Sequence, residues 1–402
     1  MLTLVSSILF GIAYSVLIAM VIPLWCMVWV RRQRLVEPPS WPRISLVKPL
    51  AGLDDALEEN LESHVAIDYP GPWEILLGVR SEKDAAYPVA RAFAAKYPER
   101  VRLVLQQGEP GYNPKVNQLI TLTREAKYEI ISLTDSNVRV PRSFLREVAS
   151  LLAQPKVGIA TNLIAGVGER RLGAVLDNMT VMVQATPFIA TGAVLFKLGD
   201  FAGKAMALRR EVLEAAGGWR SMRKILAEDQ MLGRALRRLG YRVAFCPSPI
   251  QNIQVNHPLT YFYRRQARWL LIRYRNMFPG VLIEPVELPM LMAFVAALFS
   301  PGARLAWGLF AMVAVLDVLL TESCAWVLRG QGFKAWHLLL IPLRELVFFA
   351  AWVRAATLGK VEWRGNAFYV LEGTRLAPAD VVVRASRLGK RRRTRRAARA
   401  SA

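Results

Sequence analysis

Cysteine and histidine are both scarce in this chain, with three of each among 402 residues. They are Cys26, Cys246, Cys324, His64, His257 and His337. The residues of each type lie far apart, and their spacings fit neither a disulfide framework nor a zinc site. We therefore expect all six to be packing residues.

Acidic residues are also few, because 31 Asp and Glu stand against 53 Lys and Arg, giving a formal net charge of +22. Nine of the basic residues lie between Arg384 and Arg399, with no acid among them. A basic cluster beside a membrane gains about 1 kcal/mol per residue from anionic lipid. We predict that this tail binds anionic lipids, with nucleic-acid binding or a tail without a partner as the alternatives. Because the rest of the chain is membrane-like, no nucleic-acid partner is expected.

Long stretches of the chain carry almost no charge, although the chain as a whole is rich in basic residues. Hydrophobic residues make up 53% of the sequence. Residues 2–30 are almost uncharged and are followed by Arg31, Arg32 and Arg34. The run is too long for a secretory signal, and its positive charges follow it instead of preceding it. We predict a transmembrane anchor over residues 1–34, with the arginines in the cytoplasm and the N-terminus outside.

Strands and helices alternate after the anchor. The predicted elements are strands over 44–50, 74–79, 101–106 and 129–134, with later helices over 85–96 and 116–126. An earlier helix carries Leu57, Leu61 and Val65 on one face and is expected to be capped by Asp54 or Asp55. This order predicts an α/β domain over residues 40–255 with a parallel, doubly wound sheet. Ligands of such sheets bind beyond the carboxyl ends of the strands.

The apolar segment 179–198 is interrupted by a proline, a glycine and Lys197. A membrane crossing there would place Asp135 and Asp229 on opposite sides of the bilayer. We therefore predict a loop or helix that lies on the membrane surface and faces lipid. Residues 256–280 interleave aromatic and basic side chains, which predicts a helix at the membrane interface.

Residues 281–358 are predicted to be membrane segments. Two long apolar runs, 305–327 and 336–353, are expected to span, whereas the short run 288–299 is expected to be interfacial or re-entrant. Two crossings would leave residues 359–402, with the basic tail, in the cytoplasm. Asp317, Arg344 and Glu345 fall inside the long runs. Charges are costly in lipid, so these side chains should face protein or pair with one another.

Two acidic positions suggest chemistry. Asp135 ends an apolar strand, where a carboxylate can hold a divalent cation on a diphosphate, although an ordinary helix cap is the alternative. Glu228 and Asp229 begin a predicted helix. Asp229 can serve as the general base that takes a proton from a hydroxyl group. The alternative is that both acids only complement the helix N-terminus.

Three basic or aromatic side chains share one helical face, because Arg265, Arg268 and Trp269 are spaced i, i+3 and i+4. Two guanidinium groups can bind a donor diphosphate, and a tryptophan ring can pack against a bound sugar or lipid. The alternative is that the three side chains only anchor the helix at the membrane interface. Asp84 follows a strand and can accept a hydrogen bond from a base or ribose, with a surface charge as the alternative. Lys115, at a helix N-terminus, suits an anion such as the same diphosphate.

Taken in order, these motifs resemble the ceramide glucosyltransferase family. The matching stretches are 48–54 (KPLAGLD), 68–70 (DYP), 113–119 (NPKVNQL), 135–140 (DSNVRV), 227–229 (AED), 265–269 (RQARW), 344–345 (RE) and 363–365 (WRG). The likeness spans about residues 40–375. It implies a GT-A catalytic fold, which is Rossmann-like with a mostly parallel sheet, between N- and C-terminal transmembrane helices. It also implies UDP-glucose as donor, ceramide as acceptor and inversion at the anomeric carbon.

The resemblance also implies roles. Asp84 would contact uridine, Asp135 would hold Mg²⁺ or Mn²⁺, and Asp229 would be the base. The residues that it places around the donor phosphates and the acceptor are Arg265, Arg268 and Trp269. Two departures stand out: Ser81 and Lys83 interrupt the acids around Asp84, where Glu82 is a substitute, and Asn137 stands where many related transferases carry a second Asp. The second departure implies weak metal binding.

We therefore expect an integral membrane glycosyltransferase, in the inner membrane if the source is bacterial, with its catalytic domain on the cytoplasmic face. Transfer to another membrane lipid, such as a hopanoid or a polyisoprenoid phosphate, is one alternative. A non-catalytic membrane scaffold that keeps the fold as a binding module is another. The joint presence of Asp135, Asp229 and the Arg-x-x-Arg-Trp face favours the enzyme.

Overall fold

The computed structural model describes residues 2–108, 111–197, 201–363 and 366–378. The predicted basic tail, and Arg364 with Gly365, lie outside these residues. An eight-stranded sheet forms the core. Its strands are β1 (Ile44–Pro49), β2 (Trp73–Val79), β3 (Val101–Leu105), β4 (Ile130–Thr134), β5 (Val138–Arg139), β6 (Val157–Val167), β7 (Ala205–Arg209) and β8 (Arg242–Ile253).

The sheet is mixed, with the strand order β3-β2-β1-β4-β7-β6-β8-β5. The pairs β1–β2, β1–β4, β2–β3 and β6–β8 are parallel. Strand β7 runs antiparallel to β4 and β6, and β5 runs antiparallel to β8. The predicted fold class, an α/β domain with a mostly parallel sheet and apolar helices at both ends, is confirmed, with β7 and β5 as the antiparallel strands. The start of β7 lies beside the end of β4, because Ala205 is opposite Thr134.

Helices cover both faces of the sheet. They are Leu57–Val65, Tyr87–Lys96, Pro114–Glu125, Phe144–Leu152, Arg210–Ala215, Gly218–Ser221 and Glu228–Arg238. Side chains alternate along β1, so Leu46 packs with one set of helices and Val47 with the other. Burial on both faces explains why β1, β2 and β4 read as nearly continuous apolar runs in the sequence.

The predicted aspartate cap of the Leu57–Val65 helix is wrong. That helix follows Ala56, whose φ is 54°, and no side chain caps it. Asp54 instead accepts a hydrogen bond from the hydroxyl of Ser136. The carboxylate of Asp55 accepts the backbone N–H of Val255 at 2.9 Å, as well as that of the next residue. Both aspartates therefore connect the loop after β1 to other loops at the strand ends, Asp54 through Ser136 and Asp55 through Val255.

Three helical stretches in the described part of the chain are long and apolar enough to cross a membrane. They are residues 4–31 (Leu4–Ala19 and Val21–Arg31), residues 172–196 (Leu172–Thr180, a π-helical turn Val181–Ala185, and Thr186–Phe196) and Arg304–Arg329. A fourth candidate is the pair Gly280–Glu287 and Pro289–Leu298, which bends by 71°. Such a bend fits a broken span or a re-entrant segment, so the expected interfacial or re-entrant course of the run 288–299 stays a prediction.

The stretch 172–196 is long enough to cross a membrane, but half of its most apolar part is buried inside the protein. Asp135 and Asp229 belong to one cluster, because Lys115 contacts Asp135 and Gly203, and Gly203 N–H donates to Asp229. Among the described residues between them, this stretch is the one candidate span. A single crossing would separate the two aspartates, so the geometry favours a helix that stays on one side of the membrane.

The two long C-terminal runs differ in structure. Arg304–Arg329 has 26 residues, about 39 Å at 1.5 Å per residue, which exceeds a hydrocarbon core of about 30 Å. The run 336–353 is divided between Ala335–Leu338 and Ile341–Thr357. The latter has 17 residues, about 26 Å, which is short for a span. The expectation of two full spans is therefore supported for the first run only.

The ionisable residues of these helices pair, as expected. Arg344 Nη2 lies 3.3 Å from Glu345 Oε1 and 3.9 Å from Asp317 Oδ2, and all three residues are buried. The Leu259–Asn276 helix packs between the sheet domain and Ile341–Thr357. A small sheet then completes the described chain. Its strands are β9 (Lys360–Trp363), β10 (Asn366–Val370) and β11 (Leu376–Pro378), with a 3-10 turn Glu372–Thr374.

Candidate active site

Asp135 follows β4 and is paired with two lysines. Lys115 Nζ lies 2.9 Å from its Oδ1, and Lys204 Nζ lies 3.0 Å from its Oδ2. Lys204 precedes β7, so the antiparallel pairing of β7 with β4 brings it beside Asp135, whose N–H donates to Lys204 O at 2.9 Å. Burial alone would raise the pKa of Asp135, but the two ammonium charges outweigh it and hold that pKa well below its usual range. Asp135 is therefore ionised.

Lys115 connects three segments at the start of the Pro114–Glu125 helix, which the side chain of Asn113 caps. Its Nζ lies 3.3 Å from Glu228 Oε1 and donates to Gly203 O at 2.9 Å, in addition to contacting Asp135. Burial would lower the pKa of Lys115, but the neighbouring carboxylates outweigh burial and raise it. Lys115 therefore stays protonated.

Glu228 and Asp229 differ in accessibility although they are neighbours. Glu228 is 5% exposed, and its Oε2 accepts a hydrogen bond from Asn113 Nδ2 at 2.9 Å. Asp229 is partly exposed, and its oxygens accept the backbone N–H groups of Gly203 at 2.7 Å and Gln230 at 2.8 Å. Burial is the largest influence on both carboxyl groups and raises the pKa of each. Of the two residues, Asp229 is therefore the more exposed one.

A glycine is required where the chain approaches Asp229. A Cβ atom added at Gly203 would lie 2.9 Å from the Cβ of Asp229, closer than side chains tolerate. The sequence-predicted residues Asp135, Lys115 and Asp229 are thus brought together, with Gly203 and Lys204 as the connecting segment.

Arg265 and Trp269 lie on the Leu259–Asn276 helix as predicted, but Arg265 already has a carboxylate partner. Its guanidinium contacts the buried carboxylate of Asp177 and lies 4.3 Å from the centre of the Trp269 ring. Arg268, on the same helix, is partly exposed. Burial lowers the pKa of Lys204, the negative charge of Asp135 opposes this effect, and the positive charge of Arg265 adds to the lowering.

Asp84 lies at the edge of the sheet where β1 and β2 end. Its Oδ1 accepts the backbone N–H groups of Gly52 at 2.8 Å and Ala86 at 3.0 Å. Gly52 has a φ of 71°, which favours glycine, so Asp84 holds a tight turn directly after β1. The predicted contact of Asp84 with uridine stays a prediction.

Lys48 lies in β1 beneath the site and is fully buried. Its Nζ donates to Asp135 O at 2.6 Å and to Val138 O at 3.3 Å, and it lies 3.5 Å from His64 Nε2. Burial lowers the pKa of Lys48 to about 7. A lysine inside an apolar strand was a sequence signal that could have identified this group. His64 belongs to the same polar network, so it does more than fill space.

Three other residues of the site were not singled out from the sequence, namely Gly203, Lys204 and Asp177. No spacing rule would have found the first two, because they reach the site through the antiparallel pairing of β7. Asp177 could have been identified from the sequence. It is a lone acid in an apolar stretch, and such a residue needs a partner when it is buried.

The predicted divalent cation does not fit the residues as they are arranged. Among the described residues, no group of three or more His, Cys, Asp or Glu is placed to hold a metal ion. Both oxygens of Asp135 contact ammonium groups, which take the positions that a cation would occupy. Asn137 Oδ1 also accepts from Lys204, at 3.0 Å. Binding of Mg²⁺ or Mn²⁺ at Asp135 stays a prediction.

Comparisons with known proteins agree with the motif resemblance. The chain is 25% identical to ceramide glucosyltransferase 1 of Caenorhabditis elegans, over 86% of this chain and 76% of that protein. It is also 25% identical to ceramide glucosyltransferase 3 of the same organism, with the same coverage. Among solved structures, a mannosyltransferase from Pyrobaculum calidifontis in complex with GDP-Man and Mn²⁺ matches with a TM-score of 0.47 and 20% identity, over 87% of this chain and 99% of that one.

The family model described as glycosyl transferase family 21 matches residues 9–376, which is most of the chain. This match includes the strand ends, the Asp135 cluster and the Arg265 helix. The chain therefore belongs to glycosyl transferase family 21 and is a nucleotide-sugar glycosyltransferase of the ceramide glucosyltransferase family.

Proposed function

We propose that the protein transfers glucose from UDP-glucose to the primary hydroxyl of ceramide, with inversion, and releases UDP. The names of the relatives support this donor and acceptor class. The observation that carries the proposal is the partly exposed carboxyl group of Asp229, held beside the Asp135–Lys115–Lys204 cluster at the strand ends.

Asp229 acts as the general base. Its carboxylate takes the proton of the acceptor hydroxyl while that oxygen attacks the anomeric carbon of the donor. The bond between this carbon and the diphosphate oxygen breaks, and its electron pair leaves with UDP. Attack from the face opposite the leaving group inverts the anomeric centre. A carboxylate with a raised pKa is a stronger base than an ordinary one, which suits this role.

Positive charge around Asp135 supports departure of the diphosphate. Lys115 and Lys204 supply two ammonium groups beside Asp135, and Lys115 keeps its proton because the neighbouring carboxylates raise its pKa. Fixed charges aimed at the leaving group stabilise the transition state more than the ground state. Arg265, fixed by Asp177, adds a further charge nearby. Because the two lysines already satisfy Asp135, we expect Mg²⁺ or Mn²⁺ to stimulate EDTA-treated enzyme only slightly.

The proposal includes a place in the cell. The apolar helices hold the protein in a membrane, and the arginines after residues 4–31 favour a catalytic domain on the cytoplasmic face. In a bacterium this membrane would be the inner one.

Purified protein given labelled UDP-glucose and ceramide tests the reaction. We expect β-linked glucosylceramide by mass spectrometry and product analysis, with one UDP released per product. Parallel reactions contain a hopanoid or a polyisoprenoid phosphate in place of ceramide. If a product forms only with one of these lipids, that lipid is the acceptor instead of ceramide. If no lipid leads to UDP release, the non-catalytic scaffold is favoured.

A further inference from the structure

A cavity of about 450 Å³ lies among the apolar helices of the described chain. Its walls come from residues 4–31, residues 172–196, the bent pair of helices, Arg304–Arg329 and Ile341–Thr357. Most lining side chains are apolar, including Val16, Val183, Phe188, Ile283 and Leu320. The volume falls within the range of about 300–1,000 Å³ that is typical of small-molecule sites.

Polar side chains also line this apolar cavity. Asp317 and Arg344 are 1% and 2% exposed. Asp317 Oδ2 faces Arg344 Nη2 at 3.9 Å, which is beyond hydrogen-bond distance, and neither this oxygen nor Arg344 Nη1 has a hydrogen-bond partner among the described residues. The same holds for Gln184 Oε1. Each buried polar atom without a partner costs about 1–3 kcal/mol, and a membrane interior offers no bulk water to offset this. Unpartnered polar groups in an apolar cavity therefore indicate a ligand with an apolar body and hydrogen-bonding groups.

Two of the helices that line the cavity also carry or contact residues of the candidate active site. Gln184 follows Asp177, the partner of Arg265, by seven residues along one helical stretch, or about 10 Å. The Ile341–Thr357 helix, which carries Arg344, packs against the helix that carries Arg265. An amphiphile in the cavity would thus lie close to the groups that handle the donor.

We infer that a chain of the lipid acceptor occupies this cavity, and that Asp317 accepts a hydrogen bond from the amide N–H or the secondary hydroxyl of that lipid. A carboxylate oxygen requires a donor. A ceramide offers two donors besides its reacting hydroxyl, whereas the remaining polar groups of a diacylglycerol are esters, which only accept. Asp317 would therefore select sphingoid lipids over diacylglycerol. The inference rests on the proposed function for the identity of the acceptor.

Filling the cavity tests occupancy. Ala19 lines it, and the neighbouring Ile18 is 71% exposed and does not. A photoreactive ceramide should label peptides from residues 172–196 and 304–329 of the wild type. We expect Ala19→Phe to reduce this labelling, and kcat/KM for ceramide, on the order of tenfold. UDP binding should be unchanged, and the matched variant Ile18→Phe should behave like the wild type. Equal labelling of the two variants, or labelling elsewhere, would overturn the inference.

Removing the carboxylate tests selectivity. Asp317→Leu leaves the Arg344–Glu345 pair charge-balanced, so folding should be retained. We expect the preference for ceramide over diacylglycerol to fall on the order of tenfold, the effect of one hydrogen bond to a charged group. Asp317→Asn should keep part of the preference through its amide oxygen. Thr321→Val changes a buried polar side chain one turn away, outside the cavity lining, and should change nothing.

Competition of diacylglycerol against photolabelling measures the same preference without turnover. An Asp317→Leu variant with wild-type preference would disprove the role of Asp317. The labelling also separates this inference from the proposed reaction. Ceramide labelling without glucose transfer would refute the reaction and keep the cavity site. Glucose transfer to ceramide that is unaffected by Ala19→Phe would refute the cavity site and keep the reaction.

Discussion

Glu228 and Asp229 are adjacent in the sequence but differ in burial and in hydrogen-bond partners. Glu228 is buried against Asn113 and Lys115, whereas Asp229 is partly exposed and held by two backbone N–H groups. A carboxylate fixed by backbone donors keeps its orientation while its open side meets a ligand. This difference assigns the base to Asp229 in the proposed mechanism.

Replacing the base gives the first prediction. Asp229→Asn keeps the shape of the side chain but cannot accept a proton, so kcat should fall by about 10²–10⁴-fold. UDP binding, measured by calorimetry, should change little. Glu211→Gln, at an exposed acid on another helix, is the control and should keep full activity. A near-normal rate for Asp229→Asn would remove the base assignment.

The acid limb of the pH profile depends on the same group. Only the ionised carboxyl can take a proton, and burial raises the pKa of Asp229 from its ordinary value of 3.8. Activity should therefore be lost, as the pH falls, at a higher pH than an ordinary aspartate would give. The measurement is kcat/KM against pH, with folding followed by circular dichroism. A profile that stays flat down to about pH 4, the range of an ordinary aspartate, would contradict this.

Lys204 offers a test of donor binding. Lys204→Met removes one of the two ammonium groups on Asp135 while keeping most of the side-chain volume. We expect KM for UDP-glucose to rise on the order of tenfold, because one hydrogen bond between charged groups is lost. Lys197→Met changes an exposed lysine seven residues earlier and should leave KM unaltered. If the two variants behaved alike, Lys204 would have no part in donor binding.

The C-terminal sheet braces the segment that precedes Asp229. Thr374 is fully buried with a φ of 56°; its carbonyl accepts the N–H of Leu226 at 2.9 Å and its hydroxyl accepts that of Ala227 at 3.3 Å. Leu376 N–H also donates to Lys224 O at 2.7 Å. The turn between β10 and β11 thus fixes the start of the helix that carries Asp229.

Thr374→Val removes the hydroxyl and leaves the buried N–H of Ala227 without its acceptor. We expect the free energy of unfolding to fall by about 1–3 kcal/mol. Because Asp229 lies two residues beyond Ala227, kcat should fall while KM for UDP-glucose stays the same. Thr374→Ser restores the hydroxyl and should recover both properties. Equal kcat values for the two variants would show that the brace does not reach the base.

The described chain has three candidate spans and one bent pair beside the sheet domain, and the candidate site residues favour a sheet domain on one side of the membrane. The cluster of Asp135, Lys115, Gly203 and Asp229 supports this, because its members come from both sides of residues 172–196. The protein is thus a membrane-associated enzyme whose apolar helices and catalytic groups share one packed body.

Topology can be tested on the intact protein. With the arginines after residues 4–31 in the cytoplasm, an N-terminal tag should be digested by protease added to the outside of cells. A cysteine at the exposed position Glu99, introduced into a variant without native cysteines, should react with a membrane-impermeant reagent only after lysis. Reaction of Glu99→Cys in intact cells would place the catalytic domain on the opposite face.

Local patterns determined much of this protein. The apolar periodicity predicted β1 to β4 and the helices between them to within a few residues, because burial on both faces demands continuous apolar strands. Motif order identified the family, and the chemistry of Asp135, Lys115 and Asp229 predicted which residues would meet. Charge placement predicted that Asp317, Arg344 and Glu345 would pair, since lipid excludes lone charges.

Tertiary structure alone decided the rest. Strand β7 enters the sheet antiparallel to β4, and that pairing places Lys204 on Asp135 in the position expected for a cation. Asp177 binds Arg265 across 88 residues of sequence, and Thr374 reaches Ala227 across 147. These contacts depend on how distant segments pack. Local periodicity records only the face that a residue buries, so it carries no information about the partner met there.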